Sequence, residues 1–245
     1  MGNLLQVSAT NQKFTKIDKT RRVYSISLPA GYTCPFARDC HARAVMQDDG
    51  TRKIVDGPDT VFRCFSASQE AQYKATYTAR HRNLALLKAS KDPARLILDS
   101  LESKMPKRMH GPDGVALVRP HISGDFFALW YLHAWCDVAL MRPQWTVYAY
   151  TKALPLVARL CMRPENFRLI ASMGGTHDGL AEALGMRTAR VVYSEEDAQR
   201  LGLEIDKDDS LAAYGRDSFA LLIHATQPKG SAAAAAVSKL RVNKR

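Results

Sequence analysis

Short apolar runs recur along this chain, and each hands over to small and polar residues before a segment whose apolar positions repeat on a helical period. RVYSISLPAG alternates Tyr24, Ile26 and Leu28 against Val23, Ser25 and Ser27, a strand pattern that Pro29 and Gly31 end. VALVRPHISGDFF begins with the buried-strand run Val115–Val118, emits a polar loop, and leads into FALWYLHAWCDVAL. WTVYAYTKALP, FRLIASMGGTHDG, ARVVYSEEDAQRLG and FALLIHATQPKGS repeat the design. The pattern predicts six strands, near residues 22–28, 115–121, 145–150, 167–172, 189–193 and 219–225. Helical segments separate most of them, the signature of a mostly parallel sheet with right-handed crossovers.

Between the first two strands lies a turn-rich polar excursion over residues 46–60 that reads as a hairpin, then helical sequence from Ser66 to about Leu101. Pro93 suits the first turn of a second helix there. LPLVARLCM reads as a helix, and LEIDKDDSLAAYGRDS as an acidic loop. A length of 245 residues fits a single α/β domain over 1–245: an N-terminal arm (1–20), a core (21–231), and a terminal helix with a basic tail (232–245).

The net charge of +11 favours anionic partners, a small molecule or nucleic acid. YKATYTARHRN adds a basic and aromatic stretch that could follow a nucleic-acid backbone or serve as a solvated helix face. No window approaches the ~18 apolar residues of a membrane helix, and no leader pattern opens the chain, so a cytoplasmic location without membrane contact is expected. The glycine fingerprints of dinucleotide and P-loop folds are missing.

The loop after the second predicted strand concentrates chemistry: Arg119, His121, Ser123, Gly124 and Asp125. A structural turn accounts for Gly124 and a helix cap for Asp125, but not for the rest. Lys152, Ser172, His224, Gln227 and Lys229 also follow predicted strands, so in a parallel sheet they converge on one rim. Arg119, Lys152 and Lys229 would hold carboxylate or phosphate, the last beside Gly230 and Ser231 at a helix start. His121 would move a proton, and Asp125 would accept from an amine or hydroxyl.

Of five cysteines, Cys136 and Cys161 sit within apolar helical runs and read as core. Cys34, Cys40 and Cys64 lie in polar or strand-end contexts, with five and then 23 residues between them. No Cys-x-x-Cys pair occurs, which disfavours zinc ribbons and thioredoxin-like chemistry. A structural zinc would take His41 as its fourth ligand; three independent reduced thiols are the plain alternative. Three thiolates instead suit a 4Fe–4S cluster with one iron left open.

A first strand, a cysteine-bearing loop, a second strand ending in Ser123-Gly124-Asp125 and four more strand–helix units resemble the radical S-adenosylmethionine enzymes. That resemblance implies a six-stranded partial (β/α) barrel whose three cysteines hold a 4Fe–4S cluster. It implies too that Ser123, Gly124 and Asp125 meet the methionine end of S-adenosylmethionine. Arg119, Ser172, Gln227 and Lys229 would serve the cofactor, and Asp125, His121 and Lys152 catalysis. The superfamily's cysteine spacing is compact, unlike that seen here. SLPAGYTCPFARDC, FRCFSAS, RPHISGDFF, YAYTK and LLIHATQPKGS also resemble the uncharacterised bacteriophage gene product 88 family, which implies a viral protein working in the host cytoplasm. Two functions follow as expectations: an iron–sulfur enzyme acting on a nucleotide or nucleic acid, or a non-catalytic, metal-stapled basic protein that binds nucleic acid or a host protein.

Overall fold

A computed structural model describes residues 4–9 and 22–242. Most of the expected arm, residues 10–20 with 1–3, and the last three residues of the basic tail lie outside the described residues. All six expected strands form: β2 (Val23–Ile26), β5 (Leu117–Arg119), β6 (Thr146–Thr151), β7 (Phe167–Ser172), β8 (Thr188–Val192) and β10 (Phe219–Leu222). They run parallel, in the order in which the chain makes them. Two edge strands of two residues each add to them. β1 (Val7–Ser8) pairs antiparallel with β2, and β9 (Glu204–Ile205) pairs parallel with β10 inside the supposed acidic loop. The result is one eight-stranded, mostly parallel sheet in the order β1-β2-β5-β6-β7-β8-β10-β9. The polar excursion is a hairpin, β3 (Ala42–Met46) against β4 (Arg52–Asp56).

The helical stretch after it is three helices: α1 (Phe65–Gln72), α2 (Lys74–Ala89) and α3 (Pro93–Glu102). Asp92 caps α3 by accepting from Arg95 N, with Pro93 in the first turn. α4 (Leu129–Met141) follows β5; α5 (Leu154–Val157), α6 (Leu180–Ala183), α7 (Glu195–Arg200), α8 (Ser210–Tyr214) and α9 (Ala232–Val242) complete the chain. α5 stops well short of the run that predicted it. Cys161 therefore falls in the loop beyond and is exposed, a correction to its expected place in the core, whereas Cys136 is buried. Among the described residues no helix is long and apolar enough to cross a membrane.

The alternation along each strand divides the core in two. Tyr24, Ile26, Val118, Val147, Ala149, Phe167 and Leu169 face a layer carrying Ile97 and Leu101 of α3 and Trp135 and Val138 of α4. Val23, Leu117, Tyr148, Ile170 and Phe219 face the other way, onto Ala212 and Ala213 of α8. Both faces are thus covered, as parallel sheets require. Neighbouring parallel strands in chain order send their carboxyl ends, and the loops after them, to one edge.

Phe126 joins that edge to the core. It is fully buried, with its ring centroid 6.1 Å from Phe167, 5.9 Å from Tyr131 and 4.7 Å from His121. Phe126→Ala should lower the unfolding free energy by about 3–5 kcal/mol in urea titrations, the cost of a large aromatic cavity. A loss below about 1 kcal/mol would show that the loop is not anchored there.

Candidate functional site

The loops at the carboxyl edge are laced together mainly by main-chain bonds. Leu28 N, just past β2, donates to Ser123 O at 2.8 Å. Gly124 has φ +88° and sits so close that a Cβ would lie 2.6 Å from Thr33 Oγ1 and 2.7 Å from Leu28 Cβ. Only glycine meets both demands. Its turn role holds as read from sequence, but Asp125 does not cap α4, whose capping position is Ala128. The segment from Cys34 to Cys40 is gripped from the far side: Arg38 N and Asp39 N both donate to Gly174 O, and Thr176 N to Phe36 O. Val61 N and Phe62 N then donate to Asp39 O, which brings the chain back to Cys64 at the start of α1.

Gln227 fixes that return. Its Oε1 accepts from Arg63 N at 2.7 Å, and its Nε2 donates to Arg63 O at 3.1 Å and His224 O at 3.0 Å. Arg63 is also paired with Asp56 of β4. Glu70 of α1 is a second anchor, fully buried. Its Oε1 accepts from Arg80 Nη1 at 2.8 Å, Ala30 N at 3.0 Å and Ser123 Oγ at 3.2 Å, while Oε2 has no partner. Burial outweighs these donors and pushes its carboxyl above the usual carboxylate range. Arg80, read from sequence as part of a basic stretch, is buried against Glu70, and Asn83 is buried against Gln6 and Ser27.

Within this frame Cys34, Cys40 and Cys64 are all half-buried, and Cys34 and Cys40 are both close enough to feel Cys64 and Asp125. Burial pushes the Cys34 thiol well up, with Asp125, Cys64 and Cys40 adding to it. Cys40 is pushed up to about 11, mainly by burial, with Lys152 opposing. A cavity of about 150 Å³ opens beside Cys40 and Cys64, walled by Phe65, Lys152, Ser172, His224 and Gln227. Among the described residues no three His, Cys, Asp or Glu side chains meet at the spacing of a single ion. One zinc would draw its thiolates to about 4 Å of each other, given a Zn–S bond of about 2.3 Å. A cubane cluster, binding each thiolate through a different iron, holds them farther apart.

Lys152 supplies the local positive charge. Its Nζ donates to Ser172 O (3.0 Å), Ser172 Oγ (2.7 Å) and Met173 O (2.9 Å), and no described carboxylate lies within ion-pair distance. Asp125 holds it from behind: Oδ2 accepts from Lys152 N at 2.8 Å, and Oδ1 from Thr151 Oγ1 at 2.6 Å and Phe126 N at 2.7 Å. Burial raises the Asp125 carboxyl to about 6 despite those donors.

The other predicted residues lie elsewhere or are engaged. Arg119 is paired with Asp209, donates to His121 O at 2.7 Å and lies 4.8 Å over the Tyr150 ring. Asp209, at the head of α8, also accepts from Tyr148 OH at 3.3 Å. His121 is buried away from the cavity, with Nε2 3.0 Å from Tyr131 OH, and burial with Arg119 lowers it to about 3. Burial there favours its neutral form. Lys229 is exposed and outside the cavity wall, while Ser231 caps α9 by accepting from Ala234 N. Glu70, Asp209 and Arg63 escaped the sequence reading, because nothing local marks a single acid in a helix or loop as an anchor for residues far away.

A parallel α/β sheet with thiols, a buried ammonium and a buried carboxylate gathered at its carboxyl edge defines the class: an α/β protein with a cysteine-rich rim site. The chain belongs to the Gene product 88 family, which it matches over residues 3–244. No curated protein and no solved structure gives a significant match. The link to the radical S-adenosylmethionine enzymes is not supported by these comparisons.

The two buried carboxyls of the rim can be tested separately. Arg80→Ala should cost about 3–5 kcal/mol in urea unfolding by leaving Glu70 charged and unpaired in the interior. Arg80→Met with Glu70→Leu should recover most of that; equal losses in both would refute the anchor. For Asp125, the folded carboxyl titrates near 6 and the unfolded one near 3.8. Its contribution to stability is therefore complete below about pH 4 and is lost as pH rises through 6. The wild type should lose about 2 kcal/mol relative to Asp125→Asn between pH 4 and 7, measured by denaturation at each pH. Parallel profiles would contradict the raised value.

Proposed function

We propose that the chain is a phage-encoded iron–sulfur protein of the host cytoplasm, in which Cys34, Cys40 and Cys64 hold a 4Fe–4S cluster at the rim of a partial (β/α) barrel. The observation that carries this reading is the convergence of three thiols, separated by five and 23 residues, in one electrostatic neighbourhood beside a buried ammonium with no carboxylate partner among the described residues. The donor set fits the group. Thiols that burial holds protonated surrender their protons only to a cationic centre, and the Lys152 charge lowers the cost of making Cys40 anionic. The sequential strand order of the six central parallel strands is the one a partial barrel uses.

When bound, such a cluster supplies one-electron chemistry at an iron left open to a small molecule. The chain's own residues do the rest. Asp125 fixes the Lys152 main chain, Lys152 spans to the end of β7 and presents its charge to Cys40, and Gln227 and Glu70 hold the Cys64 segment in place. If S-adenosylmethionine is the small molecule, as the order of parts suggests, the Ser123 and Asp125 side chains are already bonded within the protein. That leaves the loop's backbone to meet its amino-acid end. The apolar wall around the cavity, with Phe62, Phe65 and Ile223, would keep water from a reactive species formed on an anionic substrate.

The engagement of Arg119, Ser123 and Gln227 with protein partners favours a second reading, in which the centre is a staple and the protein a binder of nucleic acid or a host protein. Anaerobically purified wild type should carry about four irons and four sulfides per chain and absorb in the visible, and Cys64→Ala should lose most of both. Iron no higher than in a variant lacking all three cysteines would refute the cluster. With the cluster present, release of 5′-deoxyadenosine from S-adenosylmethionine under strong reductant supports the enzyme, and its absence leaves the binder.

A further inference from the structure

The opposite edge of the sheet carries a second charged feature that the rim does not use. At the amino-terminal ends of β7 and β8 a cleft of about 500 Å³ is lined by Arg163, Arg168, Arg187 and Arg216 over an apolar floor that includes Leu160, Leu184 and Met186. Arg187 has a structural duty. Its guanidinium donates to Leu211 O at 2.6 Å, Gly215 O at 2.9 Å and Ala212 O, closing the carboxyl end of α8. The other three differ: among the described residues the side chains of Arg163, Arg168 and Arg216 make no hydrogen bond or ion pair. Glu165 lines the same cleft without pairing with any of them. Arg187 is lowered from its ordinary value, first by burial and then by the positive charges of Arg168 and Arg163. Four guanidinium groups thus share the lining with the single carboxylate of Glu165, an excess of positive charge that an anion would relieve.

The cleft is too large for a bare phosphate and joins two chemistries, guanidinium groups on its walls and an apolar floor. A nucleoside phosphate matches both, with its phosphate on the arginines and its base on the floor or stacked on a guanidinium plane. The chain's charge of +11 favours a polyanion over a single anion. We propose that this cleft is a single-strand nucleic-acid site, seating a nucleotide of the strand between Arg163, Arg168 and Arg216. The site lies at the opposite edge from the cysteine rim and does not depend on what the thiols hold.

The test is fluorescence anisotropy of a labelled oligothymidylate with the full-length, anaerobically purified protein across a salt series. Wild type should bind with an affinity that falls as salt rises. Arg163→Ala/Arg168→Ala/Arg216→Ala, which spares the structural Arg187, should bind at least about tenfold more weakly at low salt. Its salt slope should be shallower by about 1, at roughly 0.7 for each of the one or two phosphates flanking the seated nucleotide. Replacement of the same three by lysine should restore most of the slope, and thermal melting of each variant identifies any loss of fold. Unchanged affinity and slope in the folded alanine variant would overturn the site. So would displacement of the strand by thymidine monophosphate as complete as by unlabelled oligonucleotide at equal phosphate concentration, which would assign a free nucleotide. Equal displacement by polyglutamate would overturn it in favour of an acidic protein partner.

Discussion

One buried carboxylate organises the rim. Glu70 lies on the helix that begins immediately after Cys64. It accepts from Ala30, at the entrance to the Cys34 loop, and from Ser123, in the loop that carries Asp125. Three segments far apart in the chain are thus referred to one carboxylate, through its Oε1, whose charge Arg80 balances from α2. An arrangement like this contributes little net stability compared with a well-packed apolar substitute, since desolvating both ions offsets most of their attraction. What it contributes is a single geometry: any shift of one loop leaves a donor or the carboxylate unsatisfied in the interior.

Around that anchor the protein relies on main-chain contacts. Gly174 accepts from two consecutive amides of the cysteine loop, Asp39 O from two amides ahead of Cys64, and Gly124 packs where no side chain would fit. Loops tied by backbone in this way hold their side chains at fixed positions while leaving the side chains themselves available for chemistry. The thiols are such groups, and Cys40 and Cys64 border one cavity with Lys152 at the carboxyl edge of the sheet, where parallel α/β folds place their ligands.

The six central strands were legible because each is a short apolar run with a period of two or a fully buried face, and most are followed by a helix. The edge strands were not: Val7–Ser8 and Glu204–Ile205 are too short to show any period and exist because a neighbour offers unpaired main chain. Of the residues expected at the rim, Cys40, Cys64, Lys152, Ser172, His224 and Gln227 border one cavity there, whereas His121 and Lys229 do not. Chain position could not tell which would be free. Arg119 meets Asp209 from 90 residues away and Gln227 meets Arg63 across 164, and such pairings leave no local trace. Cys161 illustrates the converse error, since an apolar run continued in sequence after its helix had ended at Val157.

Three thiols distant in sequence are proposed to ligate one inorganic centre, and everything said of the rim's chemistry rests on that. X-ray absorption at the iron edge of the anaerobically purified protein addresses it most directly. The expected spectrum shows iron surrounded by sulfur, with a second shell of iron scatterers that is lost when Cys34, Cys40 and Cys64 are replaced together. Iron in an oxygen and nitrogen shell with no iron neighbour, or zinc in its place, would contradict it.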